Sequence, residues 1–149
     1  MTVVRIRLLF VTLWVGSLWT IGYVVAPTLF ATLPDRALAG TIAGKLFRIE
    51  AWLSVACAVA LIVLTRIASD DSNARHAKHV VWLALAMLGC TLAGYFGLQP
   101  FMAALREAAG AGGVMNAETR TQFGILHGVS SAFYLIQSLL GAVLIWKLR

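Results

Sequence analysis

Charged residues are scarce in this sequence, at 12% of 149 residues. Soluble domains carry about 25% charged residues, so the composition excludes an ordinary soluble domain. The chain is instead 60% hydrophobic, with a mean hydropathy of +0.87. A membrane helix needs roughly 20 consecutive apolar residues, so four spans and their connections use the whole length.

Cysteine and histidine are also rare, and this limits the cofactor chemistry that we expect. Cys57 and Cys90 fall near the middle of apolar runs, where such residues are more often small fillers than a disulfide or metal site. His76 and His79 are three apart in a polar segment, without further ligands at matching spacing. Only His127 lies in an apolar run, which argues against haem held by two histidines. We therefore predict no cofactor and no metal site.

Catalytic motifs are missing as well. The sequence contains no HExxH, catalytic-triad signature or phosphate-binding glycine loop, so a non-enzymatic role is favoured. The formal charge is +6, but the lysines and arginines lie mainly at the ends of apolar runs. That placement suits anionic lipid headgroups, so we predict the bilayer as partner and not nucleic acid.

The apolar runs predict an all-α integral membrane four-helix bundle, a single domain over residues 1–149. Backbone groups in lipid are satisfied by helices, and runs of this length are helices. Pro27 is expected to end the first span. The predicted spans cover approximately residues 8–29, 47–67, 80–98 and 123–146.

Short interfacial helical segments are predicted in the two connections on the side away from the termini. Asp35 is expected to cap a helix that begins at Arg36 and continues into the second span. A short helix is expected over residues 100–109, ended by the glycines at 110, 112 and 113. Asn116 should cap the helix that becomes the fourth span.

The distribution of lysine and arginine predicts the orientation. Seven lie on the side of the termini and the 66–78 connection, and five on the other side. This bias favours cytoplasmic N- and C-termini in a plasma membrane, which is the inner membrane in a bacterium. Trp14, Trp19, Trp52 and Trp146 are interpreted mainly as interfacial anchors.

Each span carries a line of small or polar residues at helical spacing, which we expect to face the bundle interior. These lines are Thr12, Gly16, Thr20 and Tyr23; Glu50, Ser54, Cys57 and Thr65; Cys90, Gly94 and Gly97; and His127, Ser130, Ser131, Tyr134, Gln137, Ser138 and Gly141. The residues expected to permit close helix packing are Gly16, Ala39, Gly40, Ala43, Gly44, Gly94 and Gly97. The alternative is that the polar lines only hold the helices together.

Glu50 and His127 are the ionisable residues within the apolar runs that most suggest a site. No basic residue lies three or four positions from Glu50, so its partner must come from another helix, or it must hold a proton. His127 is the first candidate, and Arg48, Arg106 and Arg120 are possible ion-pair partners. The alternative is a glutamate in headgroup water and a histidine bonded to backbone.

The two halves of the chain are weakly similar. Pro27–Leu33 resembles Pro100–Leu105 with one gap, and each is followed by a glycine-containing stretch, a phenylalanine and an ionisable residue. A parallel repeat of two helical hairpins would explain this pattern.

Several short stretches carry a family resemblance: Trp14–Trp19, Ala26–Phe30, Gly44–Phe47 and Phe123–Ser130. Through them the chain resembles the membrane family called domain of unknown function 4149, which includes the transmembrane protein 205-like proteins. The resemblance implies a four-helix membrane protein and supplies no established activity.

Three hypotheses follow. In the first, the protein binds or moves a small ligand or cation at a polar site in the outward half of the bundle, formed by Glu50, His127, Ser130, Tyr134 and Tyr23. In the second, it is a non-catalytic assembly or stability partner of another membrane protein, or a homo-oligomer. In the third, it is a haem- or metal-linked redox protein.

Overall fold

A computed structural model describes residues 2–69, 73–108 and 115–148, and these ranges contain helices and no strand. Four helical stretches are long and apolar enough to cross a membrane, so the predicted all-α, four-span membrane fold is confirmed. They are Val3–Thr32, Arg36–Ile67, Ala74–Ala108 and Ala117–Lys147, which we call the first to fourth spans.

The first and third spans each change helix type partway along their length. The first consists of α1 (Thr2–Trp19), a π-helical segment (Thr20–Val25) and α2 (Ala26–Thr32). The third consists of α4 (Ala74–Thr91), a π-helical segment (Leu92–Gly97) and α5 (Gln99–Ala108). The second and fourth spans are single helices, α3 (Arg36–Ile67) and α6 (Ala117–Lys147).

The prediction that Pro27 ends the first helix is wrong. The helix continues through Pro27 to Thr32, because the π-helical segment lies directly before the proline. A proline lacks the N–H group for the usual helical bond, and its ring collides with the carbonyl four residues earlier. The wider π turn changes the hydrogen-bond register just before this point, so the chain accommodates the proline without a break.

The predicted helix starts are confirmed. The Asp35 carboxylate accepts hydrogen bonds from the N–H groups of Ala37 (2.8 Å) and Leu38 (3.1 Å), and α3 then runs without interruption to Ile67. The Asn116 side chain accepts from the N–H of Thr119 (2.8 Å) at the start of α6. The glycines expected to end the helix before it lie outside the described residues, and that helix ends at Ala108 within them.

The half of the bundle that holds the chain termini is filled by apolar side chains. Its centre is formed by Val11, Trp14, Val15, Cys57, Ala58, Leu61, Val80, Ala84, Met87 and Leu144, all buried. These residues come from all four spans. Side chains packed in this way fill the space around Leu61 and Met87.

The polar lines face the interior in only part of the bundle. Glu50, Ser54, Cys57 and Thr65 of the second span are all buried, as expected. The prediction for the first span is wrong for Thr12, Gly16 and Thr20, which are exposed, whereas Tyr23 is half-exposed and bonds to Ser138 of the fourth span. The inner face of that helix is instead apolar and is formed by Val11, Trp14, Val15 and Leu18.

The residues that we expected to permit close helix packing also fall into two groups, those that contact another part of the bundle and those that do not. Ala39 and Ala43 are buried, and Gly40 lies near the Phe30 ring. Gly44 lies against Gln99 and Arg106 of the third span, and Gly94 against Phe133 of the fourth. Two of the seven make no contact of this kind in the described chain. A Cβ atom added at Gly16 would meet nothing within 4 Å, and one added at Gly97 would meet only the Leu92 carbonyl of its own helix.

Candidate functional site

The half of the bundle away from the termini encloses a cavity of about 510 Å³. All four spans contribute to its wall, because the two π-helical segments and the adjoining helices surround a space that the apolar cluster does not reach. The five residues that the sequence suggested as a site all line it: Tyr23, Glu50, His127, Ser130 and Tyr134. The structure therefore brings these side chains to one cavity.

Glu50 lies at the buried end of this cavity and is only 2% exposed. Its Oε1 accepts a hydrogen bond from the Ser54 hydroxyl (3.2 Å), and the Ser17 hydroxyl also lies beside the carboxyl group. Its Oε2 is buried and has no hydrogen-bond partner among the residues that the structure describes. One carboxyl oxygen is thus held by the protein, and the other has no such bond within the described part of the chain.

A layer of hydrogen-bonded side chains from all four spans separates the cavity from the apolar cluster. The buried Trp14 indole N–H donates to the Ser54 hydroxyl (2.8 Å). The Gln137 amide donates to Ser54 (3.4 Å) and to Thr91 (3.0 Å). The layer therefore fixes the position of Ser54, and Ser54 in turn orients Glu50.

Trp14 corrects the interpretation of the tryptophans as interfacial anchors. Its side chain is 0% exposed, and its only polar group finds a partner inside the bundle. A buried indole N–H requires such a partner, and this requirement turns the Trp14 face of the helix inward and Thr12 and Gly16 outward. Trp52 and Trp146 are exposed, as membrane anchors are.

The Tyr134 hydroxyl inserts into the backbone of the first span. It donates to the carbonyl of Leu18 (2.6 Å) and lies within hydrogen-bonding reach of the N–H of Gly22. In a regular α-helix these two backbone groups would bond to each other. The π-helical segment separates them, and the tyrosine takes the place of the missing bond, which is one of the recognised causes of a local helix distortion.

The second π-helical segment also meets a hydroxyl from the fourth span. Ser130 donates to the carbonyl of Gly94 (3.4 Å) within that segment. Each segment is six residues long, is followed shortly by a proline and contains a glycine packed against the fourth span. These correspondences agree with the predicted repeat of two hairpins, which stays a prediction.

Aromatic rings form much of the cavity wall. Tyr134 makes edge-to-face contacts with Tyr23 and Phe47, with ring centroids 6.3 Å and 5.4 Å apart. The Tyr23 hydroxyl donates to Ser138 (2.9 Å), which holds the ring in place. Phe30 and Tyr95 complete the aromatic part of the lining.

The expected pairing of Glu50 with His127 is not seen. His127 is exposed at the edge of the cavity and stacks on Phe123, one turn earlier in the same helix, with ring centroids 6.0 Å apart. The four-residue spacing favours this stacking within the helix, so the imidazole is not directed to the bundle centre. Serine hydroxyls take the place that we expected for the histidine beside Glu50.

The expected arginine partners of Glu50 are also not seen among the described residues. Arg106 donates to the carbonyls of Met102 (3.3 Å) and Gly40 (3.5 Å), and its guanidinium lies 5.8 Å from the centre of the Phe123 ring. Arg48 and Arg120 are exposed and make no ion pair with Glu50 there. A long cationic side chain keeps its charge in the interfacial region, away from the bundle centre.

Sequence reasoning placed Ser54 and Gln137 on inward lines but did not connect them with Trp14 and Thr91. The available signal was a tryptophan within an apolar span, because a buried indole N–H requires a hydrogen-bond partner, which another span can supply.

In the part of the chain that the structure describes, no three His, Cys, Asp or Glu side chains are grouped to hold a metal ion. Cys57 and Cys90 are free thiols.

Comparison with known proteins gives a match to one family model, described as "Domain of unknown function (DUF4149)", over residues 9–111. The match covers more than half of the chain and includes Glu50, both π-helical segments and Arg106. The stretch Phe123–Ser130, which carries part of the resemblance in the sequence, lies beyond the matched residues. No curated protein and no solved structure matches the chain.

Proposed function

We propose a function for this chain, which belongs to the DUF4149 family: it binds a small, largely apolar ligand within the membrane, in the cavity between its four spans. Glu50 is the group that interacts with the polar or charged part of that ligand. The cavity volume of about 510 Å³ lies in the usual range of ligand pockets, roughly 300–1,000 Å³.

The free oxygen of Glu50 is the observation that carries the proposal. An ionisable group inside a membrane bundle is costly and marks a functional site by default. A purely structural carboxyl group would have both oxygens satisfied, because an unpaired buried oxygen costs about 1–3 kcal/mol. Here Oε2 is buried, has no partner in the described ranges and belongs to a residue that lines the cavity. A bound proton or ligand group would satisfy it.

The protein is a multi-pass membrane protein, and we propose a plasma-membrane location with both termini in the cytoplasm. The excess of lysine and arginine on the side of the termini supports this orientation. The cavity then lies in the outward half of the bundle. Transport of a ligand to the other side would require the apolar cluster around Leu61 and Met87 to open.

The assembly hypothesis has less support from the geometry. The small-residue face that we expected to bind a partner protein is already used within the chain. Ala39 and Ala43 are buried, and a Cβ atom added at Gly44 would lie 3.6 Å from side-chain atoms of Gln99 and Arg106. A partner helix would have to displace these contacts before it reached that face.

The proposal predicts that small aromatic compounds stabilise the purified protein through the cavity. The measurement is the thermal unfolding midpoint in detergent micelles, with a panel of neutral, cationic and anionic benzene derivatives. Replacing Cys90, which lines the cavity, by phenylalanine should remove the stabilisation because the ring fills the space. Glu50→Gln should change which compounds bind.

The matched control is Ala86→Phe, which adds the same ring on an exposed position of the same helix and should leave the stabilisation intact. If no compound stabilises the wild-type protein, or if Cys90→Phe and Ala86→Phe behave alike, the cavity is not a binding site. Equal loss of folded protein in Glu50→Gln and His127→Ala, without any change in binding, would indicate a structural role for both.

A further inference from the structure

We propose that the ligand is a lipophilic organic cation with a single positive charge, such as a protonated or quaternary amine on an apolar body. This inference rests on the proposed function and adds the chemical class of the ligand. Three properties of the cavity wall carry it: its uncompensated carboxyl group, its aromatic rings and the direction of its hydroxyl groups.

The first property is charge. Glu50 is the only acidic residue among the described residues that line the cavity, and no lysine or arginine lines it. When Glu50 is ionised, no lysine or arginine in the described wall balances it, and the histidine of the wall, His127, stacks on Phe123 at the cavity edge and does not pair with Glu50. A ligand with one positive charge supplies that balance at Oε2.

The second property is the aromatic surface. Tyr23, Phe30, Phe47, Tyr95 and Tyr134 all line the cavity. The faces of aromatic rings carry negative electrostatic potential and attract cations, and this attraction is stronger where water is excluded. Quaternary ammonium groups are recognised in this way because they have no hydrogen to donate.

The third property is hydrogen-bond polarity. Six of the seven described hydroxyl groups of the wall already donate their hydrogen to a protein oxygen, and Tyr95 is the exception. The six belong to Tyr23, Ser54, Thr91, Ser130, Ser131 and Tyr134. Their remaining capacity is that of acceptors, except at Ser54, whose oxygen already accepts from Trp14 and Gln137. The cavity therefore offers oxygen lone pairs to a donor or a cation, and few donors to an anion.

An inorganic cation fits this wall less well. Small hard cations take about six oxygen ligands at short distance, and divalent ions are held by several carboxylates. The described wall offers one carboxyl group in a space of about 510 Å³ with many apolar side chains. The size and the apolar lining suit an organic body that carries the charge.

The test compares three probes of nearly the same shape: benzyltrimethylammonium, its neutral hydrocarbon isostere neopentylbenzene, and the anion phenylmethanesulfonate. The full-length protein is reconstituted in lipid nanodiscs, and binding is obtained from the unfolding midpoint as a function of probe concentration. Empty nanodiscs give the amount of each probe that partitions into lipid, and this amount is subtracted from the total probe concentration.

We expect the cation to bind at least about tenfold more tightly than the hydrocarbon, and the anion not to bind. Glu50→Gln should remove this preference and leave the affinity for the hydrocarbon within about twofold. Glu50→Asp should retain much of the preference because it keeps the charge. Glu107→Gln removes an exposed acidic charge outside the wall and serves as the matched control.

The outcomes separate this inference from the proposed function. Equal binding of cation and hydrocarbon to the wild-type protein, sensitive to Cys90→Phe, would overturn the charge assignment and leave a cavity for neutral ligands. Binding of the anion alone would overturn it as well. Absence of binding by all three probes would contradict the proposed function itself. If Glu50→Gln does not fold, the comparison of the three probes on the wild-type protein still decides the question.

Discussion

Gly22 permits the Tyr134 ring to reach the backbone of the first span, and its replacement by alanine tests this arrangement. A Cβ atom at position 22 would lie 2.9 Å from both Cζ and Oη of Tyr134, with Cε1 closer still. Atoms cannot remain at such distances, so the ring must move. Its hydroxyl would then lose the bond to the Leu18 carbonyl.

The expected magnitude follows from three contributions. Alanine in place of glycine inside a helix normally stabilises by about 1 kcal/mol. Overpacking of a buried position costs about 1–3 kcal/mol, and the loss of an interhelical hydrogen bond in a membrane protein costs about 0.6 kcal/mol on average. We therefore expect Gly22→Ala to lower the free energy of unfolding by about 0.6–2.6 kcal/mol. This destabilisation is opposite in sign to the stabilisation that a glycine-to-alanine change usually gives within a helix.

Gly16 provides the control in the same helix. It is exposed, and a Cβ atom there would meet nothing within 4 Å. Gly16→Ala should raise the free energy of unfolding by about 0.5–1 kcal/mol. Both variants would be unfolded with SDS in mixed micelles, with the loss of helix followed by circular dichroism.

A double mutant isolates the contact between the two residues. In a Tyr134→Ala background the space beside position 22 is empty, so Gly22→Ala should become as favourable as Gly16→Ala. The difference between the two backgrounds measures the coupling, which we expect to be about 1–3 kcal/mol. Equal stabilisation by Gly22→Ala and Gly16→Ala in the wild-type background would refute the close approach of Tyr134.

Two further predictions concern the polar layer and the orientation. Trp14→Phe should lower the free energy of unfolding by about 1–2 kcal/mol in the same assay, because Ser54 loses its indole donor. The control Trp146→Phe, at an 82% exposed position, should change this free energy by less than about 0.5 kcal/mol. Similar values for both variants would show that the indole bond contributes nothing. In a cysteine-free background, Asp35→Cys should react with a membrane-impermeant maleimide on intact cells and Lys78→Cys only after permeabilisation, and the reverse pattern would place the cavity on the cytoplasmic side.

The general architecture is predictable from the sequence because it depends on local properties. Long apolar runs define the four spans, and Asp35 and Asn116 carry side chains that bond the first free N–H groups of the following helices. Glu50 was recognisable for a similar reason, since no basic residue lies three or four positions from it in its own helix. Each of these features requires only a few neighbouring residues.

The face that the first span turns towards the bundle interior was not predictable in this way. Small and polar residues usually face other helices in membranes, so the line through Thr12 and Gly16 was the natural choice. The actual inner face is selected by the bond between Trp14 and Ser54, which are 40 residues apart. A single sequence does not reveal which distant side chain satisfies a buried indole.

The continuation of the helix past Pro27 depends on a distant residue as well. A proline is expected to end a helix only if the preceding turns are regular. The Tyr134 hydroxyl, 116 residues from Leu18, replaces the backbone bond that the π-helical segment lacks. The rule about proline is therefore correct locally and is overridden by a contact between spans.

The π-helical segments also determine how the chain tolerates changes in its length. Successive residues of an α-helix are rotated by about 100° and advance by 1.5 Å, so deletion of one residue normally turns everything beyond it to a different face. A wider turn holds residues in excess of the regular repeat. Removal of one residue within Thr20–Val25 therefore converts irregular helix to regular helix, while the same deletion in α3 misaligns a whole inner face. The two segments are the places where the spans can lose a residue and remain continuous helices.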